Sequence, residues 1–265
     1  MPFVRVELWD ELFAQSNENA EYWDGVTHVV STIPPDKSSG ADPVLQYVFN
    51  SPLLSDKDQM KWIGYIGTTS VYGDHGGQFV TEDSKLLARG NVRKEVDLAW
   101  QKLAVEEKYP VHVFRCGGIY GPGRSMLDAV LRKENDNETA SQKARLQKKA
   151  VARCHVLDIC SVMDSSMKVP RPGSVYNIVD DDPASRGEVE GFARKLLGRP
   201  PASGTEAAVA QQRMVAAEKI VVNDKIKTEL GVALHFPTYR EGIAAIYNGD
   251  TRPFVFFVPG QETVW

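Results

Sequence analysis

The sequence predicts an α/β protein, a parallel sheet with helices on its faces, and three observations carry that prediction. Val26 to Ile33 (VTHVVSTI) is a β-branched run, and Met60 to Thr68 is hydrophobic on nearly every residue, as a strand buried on both faces must be. Such runs alternate with segments of helical periodicity over the first two-thirds of the chain. Two of the strand runs stop at clear turn signals, Pro34-Pro35 after the first and the glycines from Gly117 onward after Val111 to Arg115. In open parallel sheets, ligands bind beyond the C-terminal strand ends. Ile33-Pro34, Thr68-Thr69 and Cys116-Gly117 are therefore the places to look for a site.

Taken in order, Val4 to Leu8 alternates and reads as a strand, and Asp10 to Trp23 reads as a helix closed by Gly25. Val26 to Ile33 follows as a strand. Asp42-Pro43 starts a helix, because proline at the first helical position gives up no bond. After the strand Met60 to Thr68, Leu86 to Glu107 reads as a long helix with Val96, Trp100 and Leu103 on one side. Val111 to Arg115 is a strand, Met126 to Leu131 opens a helix, and Arg132 to Lys149 is a polar, solvated stretch. His155 to Met167 is a helix entered from a strand, and Ser174 to Val179 is a strand. Ser185 to Leu197 is a helix whose Ser185 and Glu188 have capping-box spacing. Pro200 to Gly204 is a linker, Asn223 to Leu230 a short helix stopped by Gly231, and Tyr239 to Tyr247 a terminal helix. The expected division is 1–125 for a first, sheet-building part and 126–265 for a C-terminal region that completes the sheet and forms a small subdomain.

The chain has 265 residues, 42% hydrophobic and 25% charged, with a formal net charge of −4. That balance is ordinary for a globular protein and disfavours nucleic-acid binding, which calls for a basic face. Cys116, Cys154 and Cys160 lack metal-ligand spacing, so no metal site is expected, and they read as reduced thiols of a cytoplasmic protein. No apolar run approaches the ~20 residues that cross a bilayer. The longest, Phe254 to Val258, is bracketed by Pro253 and Pro259 and reads as a packed strand or interface patch.

Six segments stand out as motifs: YIGTTSVYGD at 65–74, FRCGGIYGPGR at 114–124, RCHVLDI at 153–159, VYNIVDD at 175–181, KIKTELGVAL at 225–234 and FPTYREG at 236–242. Together they resemble an atypical extended short-chain dehydrogenase/reductase of the NAD-dependent epimerase/dehydratase family, in its YeeZ-like bacterial and plastid-lineage branch. The resemblance covers nearly the whole chain from Val4. It implies a Rossmann-like sheet, NAD or NADP as cofactor and a small-molecule substrate.

The same resemblance implies roles. Thr68, three residues before Val71-Tyr72-Gly73, takes the position of the family's substrate-holding Ser or Thr. The family's Tyr and Lys acid–base pair falls on Arg89 and Arg93, with Asp97 in the acidic position that follows. Arginine stays protonated and is a poor proton shuttle. The pair reads either as exposed i, i+4 neighbours on one helix or as an anion clamp. Ile33, Pro34, Thr68, Cys116 and Gly117 would lie against the cofactor. Gly118, Tyr120, Arg124 and His155 would lie by the substrate, with His155 and Asp158 fixing a helix start. In the family, Val4 to Leu8 would be the third strand, after a glycine-rich G-x-x-G-x-x-G turn and a βαβ unit of roughly 30 residues. The sequence holds no such turn. The expectation is an N-terminally truncated sheet with weakened dinucleotide binding. An exposed inner edge could then be covered by homodimerisation, and an incomplete start would leave room for a plastid location.

Overall fold

The computed structural model describes residues 25–36, 38–49, 57–133, 151–200 and 219–254. The predicted strand Val4 to Leu8, the helix Asp10 to Trp23, most of Arg132 to Lys149, most of Pro200 to Gly204 and nearly all of Phe254 to Val258 lie outside the described residues.

The sheet is built from β1 (His28–Ser31), β2 (Trp62–Thr68), β4 (Val111–Cys116) and β7 (Val175–Ile178), in the order β1-β2-β4-β7. Every pairing in it is parallel, with Ser31 beside Tyr65, Thr68 beside Cys116, and Cys116 beside Ile178. The C-terminal strand ends therefore form one ledge. Every residue of β4 is buried, its polar His112 and Arg115 included.

Side-chain alternation divides the core. Ile63, Tyr65, Val111 and Val113 face α1 (Val92–Val105), where they pack with Trp100 and Leu103. Trp62, Phe114, Cys116, Tyr176 and Ile178 face the other way, toward α3 (Val156–Lys168) and α5 (Asp224–Leu230). The Trp62 indole lies across Gly64, where a Cβ would come within 2.2 Å of the ring. It stacks on His112 and donates to Ser166 Oγ at 3.0 Å.

α1 is shorter than the periodicity predicts. Leu86 to Glu107 was expected to be helical throughout, but the helix begins at Val92. Asn91 caps it, accepting from the Arg93 amide at 3.0 Å, and Gly90 has a φ of +57°, outside helical space. Upstream, the Leu87 amide already donates to the Tyr72 carbonyl at 2.9 Å, so 86–88 run as a strap along a single 3₁₀ turn at Thr69–Tyr72. The Asp42-Pro43 start is real but brief. Asp42 Oδ1 accepts from the Val44 and Leu45 amides at 2.8 and 3.0 Å, and a π-type turn follows over Leu45–Phe49.

Two small parallel pairs lie outside the main sheet: β3 (Phe79–Val80) with β8 (Ile220–Val221), and β5 (Gly118–Tyr120) with β6 (Arg153–His155). Around β5 and β6 pack α2 (Met126–Lys133), α4 (Arg186–Leu196) and α6 (Tyr239–Tyr247), sharing a core of Tyr120, Leu127, Val130, Val189, Tyr239 and Ile243. The predicted Ser185–Glu188 capping box starts α4, and a second one, Thr238–Glu241, starts α6. Gly231 ends α5 at a φ of +63°. Among the described residues no helix is long and apolar enough to cross a membrane, and no His, Cys, Asp or Glu cluster could hold a metal ion.

Candidate functional site

Thr68 is the last residue of β2 and stands half-buried on the ledge. Its Oγ1 accepts from the Ser70 amide at 3.2 Å and so caps the 3₁₀ turn. The hydroxyl proton stays free to donate to a ligand oxygen. Beside it, the Cys116 side chain is buried, so this position offers a ligand only backbone. Gly117 is pressed against the Ala152–Arg153 backbone, where a Cβ would meet three atoms at 2.8 Å. Ile33 packs partly into the core and Pro34 is exposed just beyond β1. Thr68, Ile33, Pro34 and the Cys116–Gly117 backbone could thus hold the nicotinamide end of a dinucleotide. The fit is partial, because among the described residues no glycine-rich helix start follows β1 to receive the pyrophosphate.

Tyr72 follows Thr68 closely in sequence but points into the protein. It is fully buried, donates to Asn177 Oδ1 at 2.7 Å and accepts from Arg115 Nη1 at 2.9 Å. Burial pushes its phenol up, against the pull of the Arg115 charge. Arg115 also makes a two-pronged pair with Asp97, Nε to Oδ2 at 3.0 Å and Nη2 to Oδ1 at 2.8 Å. Burial works against the Arg115 charge, but Asp97 and Tyr72 outweigh it and hold the guanidinium above its ordinary value. Glu82 Oε1 accepts from the Asn177 amide at 2.8 Å and completes the network. Tyr72 is thereby a structural residue.

Arg89 and Arg93 do not form a helical i, i+4 pair. Arg89 lies two residues before the Asn91 cap, and only Arg93 is in α1. Both are exposed, with no side-chain hydrogen bond or ion pair among the described residues.

The substrate-side expectations converge better. A cavity of about 640 Å³ opens between β5, β6, α2, α4 and α6, with Gly118, Tyr120 and Arg124 in its wall. Arg132, Arg153 and Arg186 join Arg124 there, against an apolar side of Met126, Val189 and Ile243. His155 is not in the wall but stands behind it, its ring 5.1 Å from the Tyr120 ring and edge-on. His155 caps α3, with Nδ1 accepting from the Leu157 amide at 3.1 Å, and burial lowers its pKa to about 4. Asp158 accepts from the His235 amide at 2.6 Å, and burial raises its pKa. His155 thus fixes the helix start, while Asp158 ties the first turn of α3 to the His235 segment.

Arg153, Asp180 and Arg186 were not among the site residues that the sequence singled out. Tyr120 Oη, His155 Nε2, Arg186 Nε and both Asp180 carboxylate oxygens are buried without a hydrogen-bond partner. Asp180 follows β7 and is 4% exposed, and burial raises its carboxyl to about 8. Arg153 is pulled down by burial and held up by the Asp180 charge. Arg153 and Arg186 become visible as a pair only when β6 and the start of α4 meet.

No family model and no curated protein matches this sequence. Solved structures do. A functionally unknown conserved protein from Silicibacter pomeroyi DSS is 35% identical, with a TM-score of 0.68 over 86% of this chain and 79% of that one. The dTDP-glucose 4,6-dehydratase of Bacillus anthracis, in complex with NAD, is 19% identical, with a TM-score of 0.62 over 87% and 76%. The UDP-N-acetylglucosamine 4-epimerase of Bacillus cereus is 14% identical, with a TM-score of 0.56 over 86% and 80%. The dehydratase and epimerase establish the Rossmann-like fold, and by its identity to the Silicibacter protein the chain belongs to that protein's family.

Proposed function

We propose that this chain is an NAD(P)-dependent epimerase/dehydratase-like oxidoreductase homologue, of the YeeZ-like branch, in which the Tyr–Lys proton shuttle is lost. The observation that supports it is the cavity lined by Gly118, Tyr120 and Arg124, in the segment that follows the C-terminal end of β4. A cytoplasmic protein with a small-molecule substrate fits this reading. When bound, a nicotinamide would supply hydride transfer. Thr68 would orient a substrate oxygen by donating its free hydroxyl proton, and the packed wall behind Tyr120 would exclude water. Arg89, ahead of the α1 cap, and Arg93, in its first turn, are left as fixed positive charges that can hold an anion but not shuttle a proton.

A second reading is favoured by Tyr72, whose hydroxyl is fully engaged. It is a Rossmann-like protein that binds a ligand or partner without catalysis. Calorimetry with NAD(H) and NADP(H) tests both readings. Binding tighter than about 0.1 mM, lost in Thr68→Trp, supports the first. A folded protein with no dinucleotide binding supports the second.

A further inference from the structure

Two thiols meet where β4 leaves the main sheet. Cys116 is the last residue of β4, and its ladder partners are Thr68 on one side and Ile178 on the other. Gly117 follows, and β5 begins at Gly118. β6 runs beside β5, and its middle residue is Cys154. The two backbones are tightly apposed there. The Gly118 amide donates to the Ala152 carbonyl at 2.8 Å, and a Cβ on Gly117 would meet the Ala152–Arg153 backbone at 2.8 Å. The Cys154 thiol donates to the Gly117 carbonyl, with the sulfur 3.9 Å from the oxygen. The Cys116 and Cys154 side chains are 1% and 2% exposed, share one apolar cluster with Phe114, Val162 and Ile178, and touch each other. Both are free thiols.

A single buried thiol is ordinary core filling. A touching pair on two different strands is not, because oxidation joins the two sulfurs with no third group. A sulfur–sulfur bond is much shorter than the contact between two thiols. Closing it draws Cys116 and Cys154 together and removes the thiol proton that Cys154 gives to the Gly117 carbonyl. Gly117 cannot follow, because the Ala152–Arg153 backbone already lies against it. The displacement passes instead across the ladder from Cys116 to Thr68 on the ledge.

We propose that Cys116 and Cys154 are a reversible oxidation site, which a peroxide converts to a disulfide that displaces the ledge at Thr68. With hydrogen peroxide, one sulfur attacks an oxygen, the O–O bond breaks, and a sulfenic acid and one water form. The second sulfur attacks the sulfenic sulfur, the S–O bond breaks, and a second water leaves with the second thiol's proton. Two electrons pass from the thiols to the peroxide, and a dithiol reductant returns them. β5 and β6 have three residues each and pair only with each other among the described residues, so they open more readily than the four-stranded sheet and admit a small neutral oxidant. Contact with Cys116, and then burial, pushes the Cys154 thiol up. Little thiolate is present at neutral pH, so the reaction is slow there and speeds as pH rises. The disulfide stands apart from the cofactor reading, and only its effect on dinucleotide binding rests on that reading.

The test uses the full chain with Cys160→Ser, which removes the exposed third thiol. The folded protein is treated with hydrogen peroxide, its remaining thiols are blocked, and its peptides are mapped by mass spectrometry. The expected product is a peptide pair linking Cys116 to Cys154, formed faster at about pH 9 than at about pH 7 and undone by dithiothreitol. Hydrogen exchange reads the ledge without any cofactor. The Ser70 amide, held by Thr68 Oγ1, should exchange at least about fivefold faster in the linked protein. Cys154→Ser should show no change under the same treatment, and Cys116→Ser reads the same control should Cys154→Ser not fold. A folded protein in which neither thiol reacts, or in which either goes on to sulfinic acid without the link, overturns the oxidation site. A linked protein with unchanged Ser70 exchange overturns the coupling to the ledge. NAD(H) calorimetry on the reduced and linked forms separates the readings. Affinity lost at least about fivefold on linking supports both, and a reduced protein that binds no dinucleotide overturns the cofactor reading alone.

Discussion

The buried pair of Asp97 and Arg115 gives the sharpest quantitative test of what holds the ledge in place. Their side chains are 0% and 2% exposed. Two of the three guanidinium nitrogens go to Asp97, and the third reaches Tyr72 Oη and the Glu82 carbonyl, at 2.9 and 3.2 Å. Asp97→Ala removes both carboxylate bonds and leaves a cation in a dry interior. Breaking a buried pair from one side costs about 3–5 kcal/mol. At about 2–4 °C per kcal/mol for a chain of this size, the melting temperature should fall by about 6–20 °C. Gly67 of β2 lies against Asp97, so the strand end that presents Thr68 should loosen as well. Adding Arg115→Met removes the orphaned charge and should recover about 1–3 kcal/mol relative to Asp97→Ala. Urea unfolding followed by circular dichroism measures both steps. If Asp97→Ala costs less than about 1 kcal/mol, or if the double variant is less stable than Asp97→Ala, the pair does not hold this region and the reasoning fails.

Other outcomes follow from the same geometry. Asp180 has a folded pKa raised to about 8 from an ordinary 3.8, so its burial weakens the fold progressively as pH rises between those values. Asp180→Asn should therefore stabilise the protein by about 2–4 kcal/mol at pH 9 and by little at pH 4, as read from urea midpoints. His155 has a folded pKa lowered to about 4 from 6.5, so the neutral ring's contribution is complete above 6.5 and lost as pH falls toward 4. His155→Asn, which keeps a capping oxygen, should flatten that acid-side loss of about 1–3 kcal/mol. Gly117→Ala should cost about 1–3 kcal/mol, because its Cβ would meet Ala152 backbone that cannot give way. Tyr72→Phe should destabilise by about 1–3 kcal/mol, since Asn177 and Arg115 each lose a partner. It should leave dinucleotide affinity within about twofold, and a complete loss of binding in a folded Tyr72→Phe protein would contradict its structural role.

The difference between what the sequence disclosed and what it hid has a physical cause. The parallel sheet was legible because burial on both faces leaves a nearly unbroken apolar run, as in β2, and because such runs alternate with helical segments. Helix starts were legible where a capping side chain acts over three residues, as at Ser185, and not where tertiary hydrogen bonds intervene. The start of α1 was misplaced because the amides of 87 and 88 are taken by Tyr72 and Val71, whose position depends on a different strand end. The same distinction separates the two parts of the site. Gly118, Tyr120 and Arg124 lie within one turn-rich motif, so the family resemblance groups them. Arg153, Asp180 and Arg186 belong to a strand, a loop and a helix start; the first two fall inside motifs, but nothing in the sequence pairs either with Arg186. Only packing leaves two guanidinium groups facing a cavity with a bondless carboxyl behind them. Because a folded protein rarely tolerates several unsatisfied buried polar groups in one place, their concentration around this cavity points to a ligand rather than to a flaw in the core.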